Sequence, residues 1–95
     1  MLTAMSKLAL KEEIELRIKA KISPEELQVI DESEAHIGHA GSREHGGAHF
    51  RIIAKSKSFN GMNHVQRHRL INELLSDLLD SNVIHALALK LDPSN

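Results

Sequence analysis

Phe50-Arg51-Ile52-Ile53-Ala54-Lys55 is the stretch that decides the fold. Phe50, Ile52 and Ala54 fall on one side of an extended chain, and Arg51 and Lys55 fall on the other. This period of two marks a strand with one buried and one wet face. Such a strand needs a neighbour to pair with and a second layer to cover its apolar side. Upstream, Glu26-Leu27-Gln28-Val29-Ile30-Asp31 reads as a strand with Leu27 and Val29 inward, and the two are expected to pair as a hairpin. Further upstream, Leu10, Ile14, Ile18 and Ile22 recur every four residues with Lys11, Glu12, Glu13, Arg17 and Lys19 between them, which predicts an amphipathic helix. Ser23-Pro24 ends it, because proline disfavours helical geometry in the residue before it.

Downstream, Phe59-Asn60-Gly61 reads as a turn. Leu70, Ile71, Leu74, Leu75 and Leu78 then lie on one stripe of a helix spanning 63–80, with Asn63 as its N-cap and Asp80-Ser81-Asn82 as its exit. The last strand is expected over 83–91, with Val83, His85, Leu87 and Leu89 alternating against Ile84, Ala86 and Ala88, and Asp92-Pro93 stops it. The order is helix, strand, strand, helix, strand. An α+β fold follows, with two main helices on one face of a small three-stranded mixed sheet, and 1–95 forms a single domain.

Composition narrows the function. Phe50 and Phe59 are the only aromatics, so the core is mostly Leu, Ile and Val. Twelve basic and thirteen acidic residues leave the chain near neutrality, which argues against a strong non-specific grip on nucleic acid or an anionic membrane. There is no cysteine, hence no disulfide framework. No apolar run approaches the roughly twenty residues of a membrane span, and the N-terminus lacks the apolar core of a signal peptide. A soluble, cytoplasmic protein without membrane association is expected. Neither a nucleophile elbow nor a phosphate-binding loop is present, so an enzyme is not expected.

Histidine is the exception. Four of the seven histidines, His36, His39, His45 and His49, fall in the glycine-studded segment 31–50, and imidazoles converging on a loop are good ligands for zinc, iron or copper. Spacing alone fits a solvated polar loop better, since zinc sites usually announce themselves with cysteine or with two ligand pairs. His64 and His68 stand four apart on one helix, the interval of zinc proteases. Val65 occupies the place of the general base, however, and Arg67 and Arg69 would repel a dication. The trio Arg67, His68 and Arg69 reads instead as a positive surface for a partner or a phosphate. His85 stands alone in an apolar strand, as either a satisfied strand histidine or a ligand presented by a rigid element.

Several segments taken together resemble the BolA family: Asp31-Glu32-Ser33, His36, Ala40-Gly41, His49-Phe50, Phe59-Asn60-Gly61, Val65-Gln66-Arg67-His68-Arg69 and Val83-Ile84-His85-Ala86-Leu87. The resemblance implies a fold similar to a type II KH domain, with a short helical turn around 61–65 and with the C-terminal helix of many members missing or vestigial. It also implies a heterodimer with a monothiol glutaredoxin that bridges a [2Fe-2S] cluster. Glutaredoxin and glutathione would supply sulfur, and this chain His85 from the strand and a loop histidine, taken as His36 with His39 and His45 as alternatives. The isolated chain would then be a monomer without cofactor, with roles in cluster assembly, trafficking, iron regulation or stress response. The alternative that the resemblance carries is a DNA-binding transcriptional regulator. The Gly-x-x-Gly loop of nucleic-acid-binding KH domains is absent, so DNA contact is expected to be weak.

Overall fold

The computed structural model describes residues 6–32 and 48–94. Helix α1 spans Lys7–Ile22. Its start is set by Ser6, whose hydroxyl accepts from the Ala9 amide at 3.0 Å. Its end is set by Ser23 in the left-handed region (φ 43°), whose amide donates back to the Lys19 carbonyl. Leu10, Ile14, Ile18 and Ile22 are all buried, as their spacing requires.

Strand β1 (Glu26–Asp31) pairs antiparallel with β2 (Ala48–Ser56), Val29 opposite Ile52 and Leu27 opposite Ala54. A single 3-10 turn at Lys57–Phe59 follows, where Phe59 enters the core. Gly61 then takes a positive φ of 84° to redirect the chain. Helix α2 (His64–Leu74) opens with a reciprocal box: the Gln66 amide donates to the Asn63 side chain, and the Asn63 amide donates to the Gln66 side chain. Strand β3 (Ile84–Pro93) runs parallel to β2 on the side away from β1. A mixed three-stranded sheet in the order β1-β2-β3 results, with one face closed by the helices. The short turn expected around 61–65 falls earlier, at the 3-10 turn.

The helix expected across 63–80 is interrupted. Leu75 leaves helical geometry (φ −108°, ψ 15°), and a separate helix, α3, covers Ser76–Asp80. The cause is a cation. Arg17 of α1 donates to the Leu74 carbonyl at 3.2 Å, while the Leu78 amide closes a tighter turn onto Leu75. The same guanidinium grips both oxygens of Asp77, at 2.6 and 3.0 Å, and takes Glu13 at 2.8 Å. Arg17 therefore ties α1 to α3, and it holds the Asp77 carboxyl below its ordinary range through that side-chain hydrogen bond.

The core gathers Phe50, Ile52 and Ala54 of β2, Val29 of β1, Ile84 and Leu91 of β3, Ile71 and Leu75, and the α1 stripe. Ser56 and Ser94 are the buried polar residues among those described, and Ser56 lies deeper. Fully buried, Ser56 donates to the Ile22 carbonyl at 2.6 Å and accepts from the Ser58 amide, so its burial leaves no lone hydroxyl. Among the described residues no helix is long and apolar enough to cross a membrane.

Candidate functional site

The alternation expected for the last strand fails at one place, and the failure makes the site. Ala48 pairs with Ile84, but His49 pairs with Ala86, so β3 carries one extra residue, His85. A bulge of this kind re-aims a side chain. Ile84 stays in the core, and His85, expected on the face of Leu87 and Leu89, turns outward instead. Leu87 and Leu89, opposite Phe50 and Ile52, pack against the core.

On the outward face His85 meets His49 of β2. Their ring centroids are 5.2 Å apart with planes at 45°. His85 is exposed and His49 half-buried. The turn before β3 adds a second contact: Asn82, in the left-handed region (φ 64°), brings its side-chain oxygen within 3.3 Å of His85 Nδ1. A proton on Nδ1 would donate to Asn82, the kind of contact by which ligating histidines are oriented. Alongside, Arg51 is tied to Glu32 at 2.8 Å, which holds its charge on β2 beside the end of β1. Imidazole nitrogens brought together on one face of a sheet are of the kind that ligate a borderline metal such as iron. Among the described residues no group of three or more His, Cys, Asp or Glu comes together. Within those residues two imidazoles alone do not fill a metal's coordination shell.

His36, His39 and His45 lie outside the described residues. From sequence His49 is one of four histidines in the 31–50 segment, and the one that opens a strand. Its meeting with His85 depends on the parallel pairing of β2 with β3 and on the bulge, and no periodicity announces either. The Arg67, His68, Arg69 trio divides. Arg67 is half-buried and donates to the Met62 carbonyl at 3.1 Å and to the Leu91 carbonyl at 2.8 Å, fastening α2 to the edge of the sheet. His68 and Arg69 are exposed.

Known proteins share this fold and sequence. A solved structure of the BolA domain of SufE1 from Arabidopsis thaliana superposes with a TM-score of 0.76 at 34% identity, covering 95% of each chain. Among curated sequences, an uncharacterised protein from the cobS 5′ region of Sinorhizobium is 43% identical over 84 residues, 87% of this chain and 89% of that one. The DNA-binding transcriptional regulator BolA of Vibrio cholerae is 42% identical over 76 residues, 80% of this chain and 67% of its own length. The sequence model of the BolA-like protein family matches residues 18–95, which hold every element from the end of α1 to β3. The chain belongs to the BolA-like protein family.

Proposed function

We propose that this chain is a non-catalytic partner of a monothiol glutaredoxin, that the two share a [2Fe-2S] cluster, and that the pair serves cluster assembly, trafficking or iron regulation. One observation carries the reading: the bulge in β3 stands His85 beside His49 on the sheet face away from the core. His85 is the strand ligand. The second nitrogen comes from the 33–47 segment, His36 first and His39 or His45 as alternatives, or from His49, already at the ring of His85. Sulfur from glutaredoxin and glutathione is what the family resemblance implies, and it suits a chain without cysteine.

Bound there, the cluster supplies one-electron chemistry, at a potential raised where imidazole replaces thiolate. The protein's own work is to hold the ring. Asn82 fixes its tilt, and the strand fixes its position. Because a ligating imidazole must be neutral, the shared complex weakens with acid as the histidines protonate. The test mixes purified protein with cluster-loaded monothiol glutaredoxin and follows visible absorption and circular dichroism. A new spectrum at one-to-one stoichiometry is expected, lost in His85→Ala and altered in the variant of whichever second histidine ligates, with His36, His39, His45 and His49 replaced one at a time. A spectrum identical to that of glutaredoxin alone, with no complex on gel filtration, sinks the proposal.

The name of the Vibrio relative favours a second reading, DNA binding. Its contact surface is the exposed His68 and Arg69 on α2. A gel-shift series at rising salt separates the two readings. Binding that disappears near physiological ionic strength is generic charge attraction.

A further inference from the structure

The exposed turn of α2 holds a second pair of imidazoles that the sheet site does not use. His64 and His68 are both exposed and line one hollow with Val65, Arg69 and Asn72. Residues four apart on a helix stand one above the other, with their Cβ atoms about 5–6 Å apart. Two histidines so placed can chelate one borderline dication through their imidazole nitrogens.

Two sources of positive charge lie near this pair. The first is the arginines on either side. Arg67 is half-buried, and its guanidinium is engaged by the carbonyls of Met62 and Leu91, toward the sheet edge rather than over the hollow. Arg69 remains exposed on the rim. It follows His68 by one residue, and successive residues on a helix point about 100° apart, so the chelating direction is not blocked. Its charge weakens the site without closing it. The second is the positive end of the helix dipole, where His64 is the first helical residue. The first turn is already capped, by the Asn63 side chain on the Gln66 amide, and a solvated helix end acts weakly on a ligand held by direct bonds to nitrogen. Asn72 keeps its amide on the His68 carbonyl, which stiffens the turn that carries the second ligand.

We infer that His64 and His68 form a bidentate site on α2 for a transition-metal dication of the copper(II), nickel(II) or zinc class, separate from the sheet histidines. Water fills the remaining positions, so the metal is exchangeable. Copper(II) is the probe of choice, because it heads the affinity order for nitrogen sites and broadens nearby resonances.

Chelator-stripped, nitrogen-15-labelled full chain is titrated with copper(II) alone at neutral pH, and amide signals are followed residue by residue. Signals over 64–72 broaden in the wild type, as a set distinct from those of β2 and β3 around His49 and His85. In His64→Ala the α2 set stays sharp while the β2 and β3 set broadens as before, and His68→Ala behaves likewise. Both histidines are exposed, and the dispersion of the remaining signals verifies the fold in each variant. Sharp α2 signals in the wild type at two equivalents of copper, or α2 broadening that persists in both variants, overturn the inference.

Discussion

Arg67→Ala is expected to be among the most damaging changes to a half-exposed residue in this protein. The guanidinium makes two directed bonds, Nε to the Met62 carbonyl at 3.1 Å and one terminal nitrogen to the Leu91 carbonyl at 2.8 Å. Hydrogen bonds involving a charged group contribute about 1.5–3 kcal/mol each. Arg67 is only half-buried, so the carbonyls it releases recover some water, and the lower end of that range applies. Two bonds at that end give about 3 kcal/mol. For a domain of this size each kcal/mol moves the melting temperature by about 4–8 °C. A fall of roughly 12–24 °C follows by that scale. Arg67→Lys should recover only part of it, because a single ammonium does not reproduce a planar fork that reaches two carbonyls. Thermal and urea unfolding of Arg67→Ala, Arg67→Lys and Arg69→Ala decide the matter. Arg69, exposed on the same helix, should cost no more than about 0.5 kcal/mol, the usual scale for a surface change. If Arg67→Ala proves as mild as Arg69→Ala, the guanidinium does not fasten α2 to the sheet and the reasoning fails.

Two further outcomes follow from the geometry. Asp77 has its folded-state pKa lowered, chiefly by the hydrogen bond from Arg17. The stability it contributes is therefore present above the ordinary aspartate range and lost as pH falls through the lowered folded value. The carboxylate is exposed, so the loss is small and should appear as a loosening of α3 below about pH 4, read from amide exchange over 76–80, and it should be absent in Asp77→Asn. Gly61→Ala meets no atom within 4 Å of the added carbon, yet places a β-carbon on a φ of +84°. A loss of about 1–2 kcal/mol in urea unfolding is expected from the backbone alone, and an unchanged midpoint would contradict it.

The elements that could be read from sequence are those in which one period governs a whole segment. Leu10, Ile14, Ile18 and Ile22 state a helix face without help from elsewhere, and Phe50, Ile52 and Ala54 state a strand face equally well; all seven are buried. Asn63 stood legibly before α2 because capping is a local hydrogen bond. What escaped depends on partners distant in sequence. The break at Leu75 comes from Arg17, more than fifty residues away, and nothing in the run 70–78 announces it. The outward turn of His85 comes from a pairing irregularity with β2, and simple alternation put it on the wrong face. For the same reason the His49 and His85 pair could not be read from spacing, although both residues were singled out. Arg67 looked like surface charge beside His68 and Arg69, and only the fold reveals which of the three reaches a backbone carbonyl.

The parallel union of β2 and β3 also fixes when the sheet site comes into being. A parallel pair cannot be closed by a tight turn and needs a crossover, here the segment from the 3-10 turn through α3. His49 and His85 are more than thirty residues apart in the chain, so their meeting is among the non-local contacts that close late in folding. A nascent chain that has made only its β1 and β2 hairpin has no such pair to offer. The His49 and His85 pair is thus tied to completion of the sheet, and an unfinished or partly unfolded molecule does not bring the two rings together.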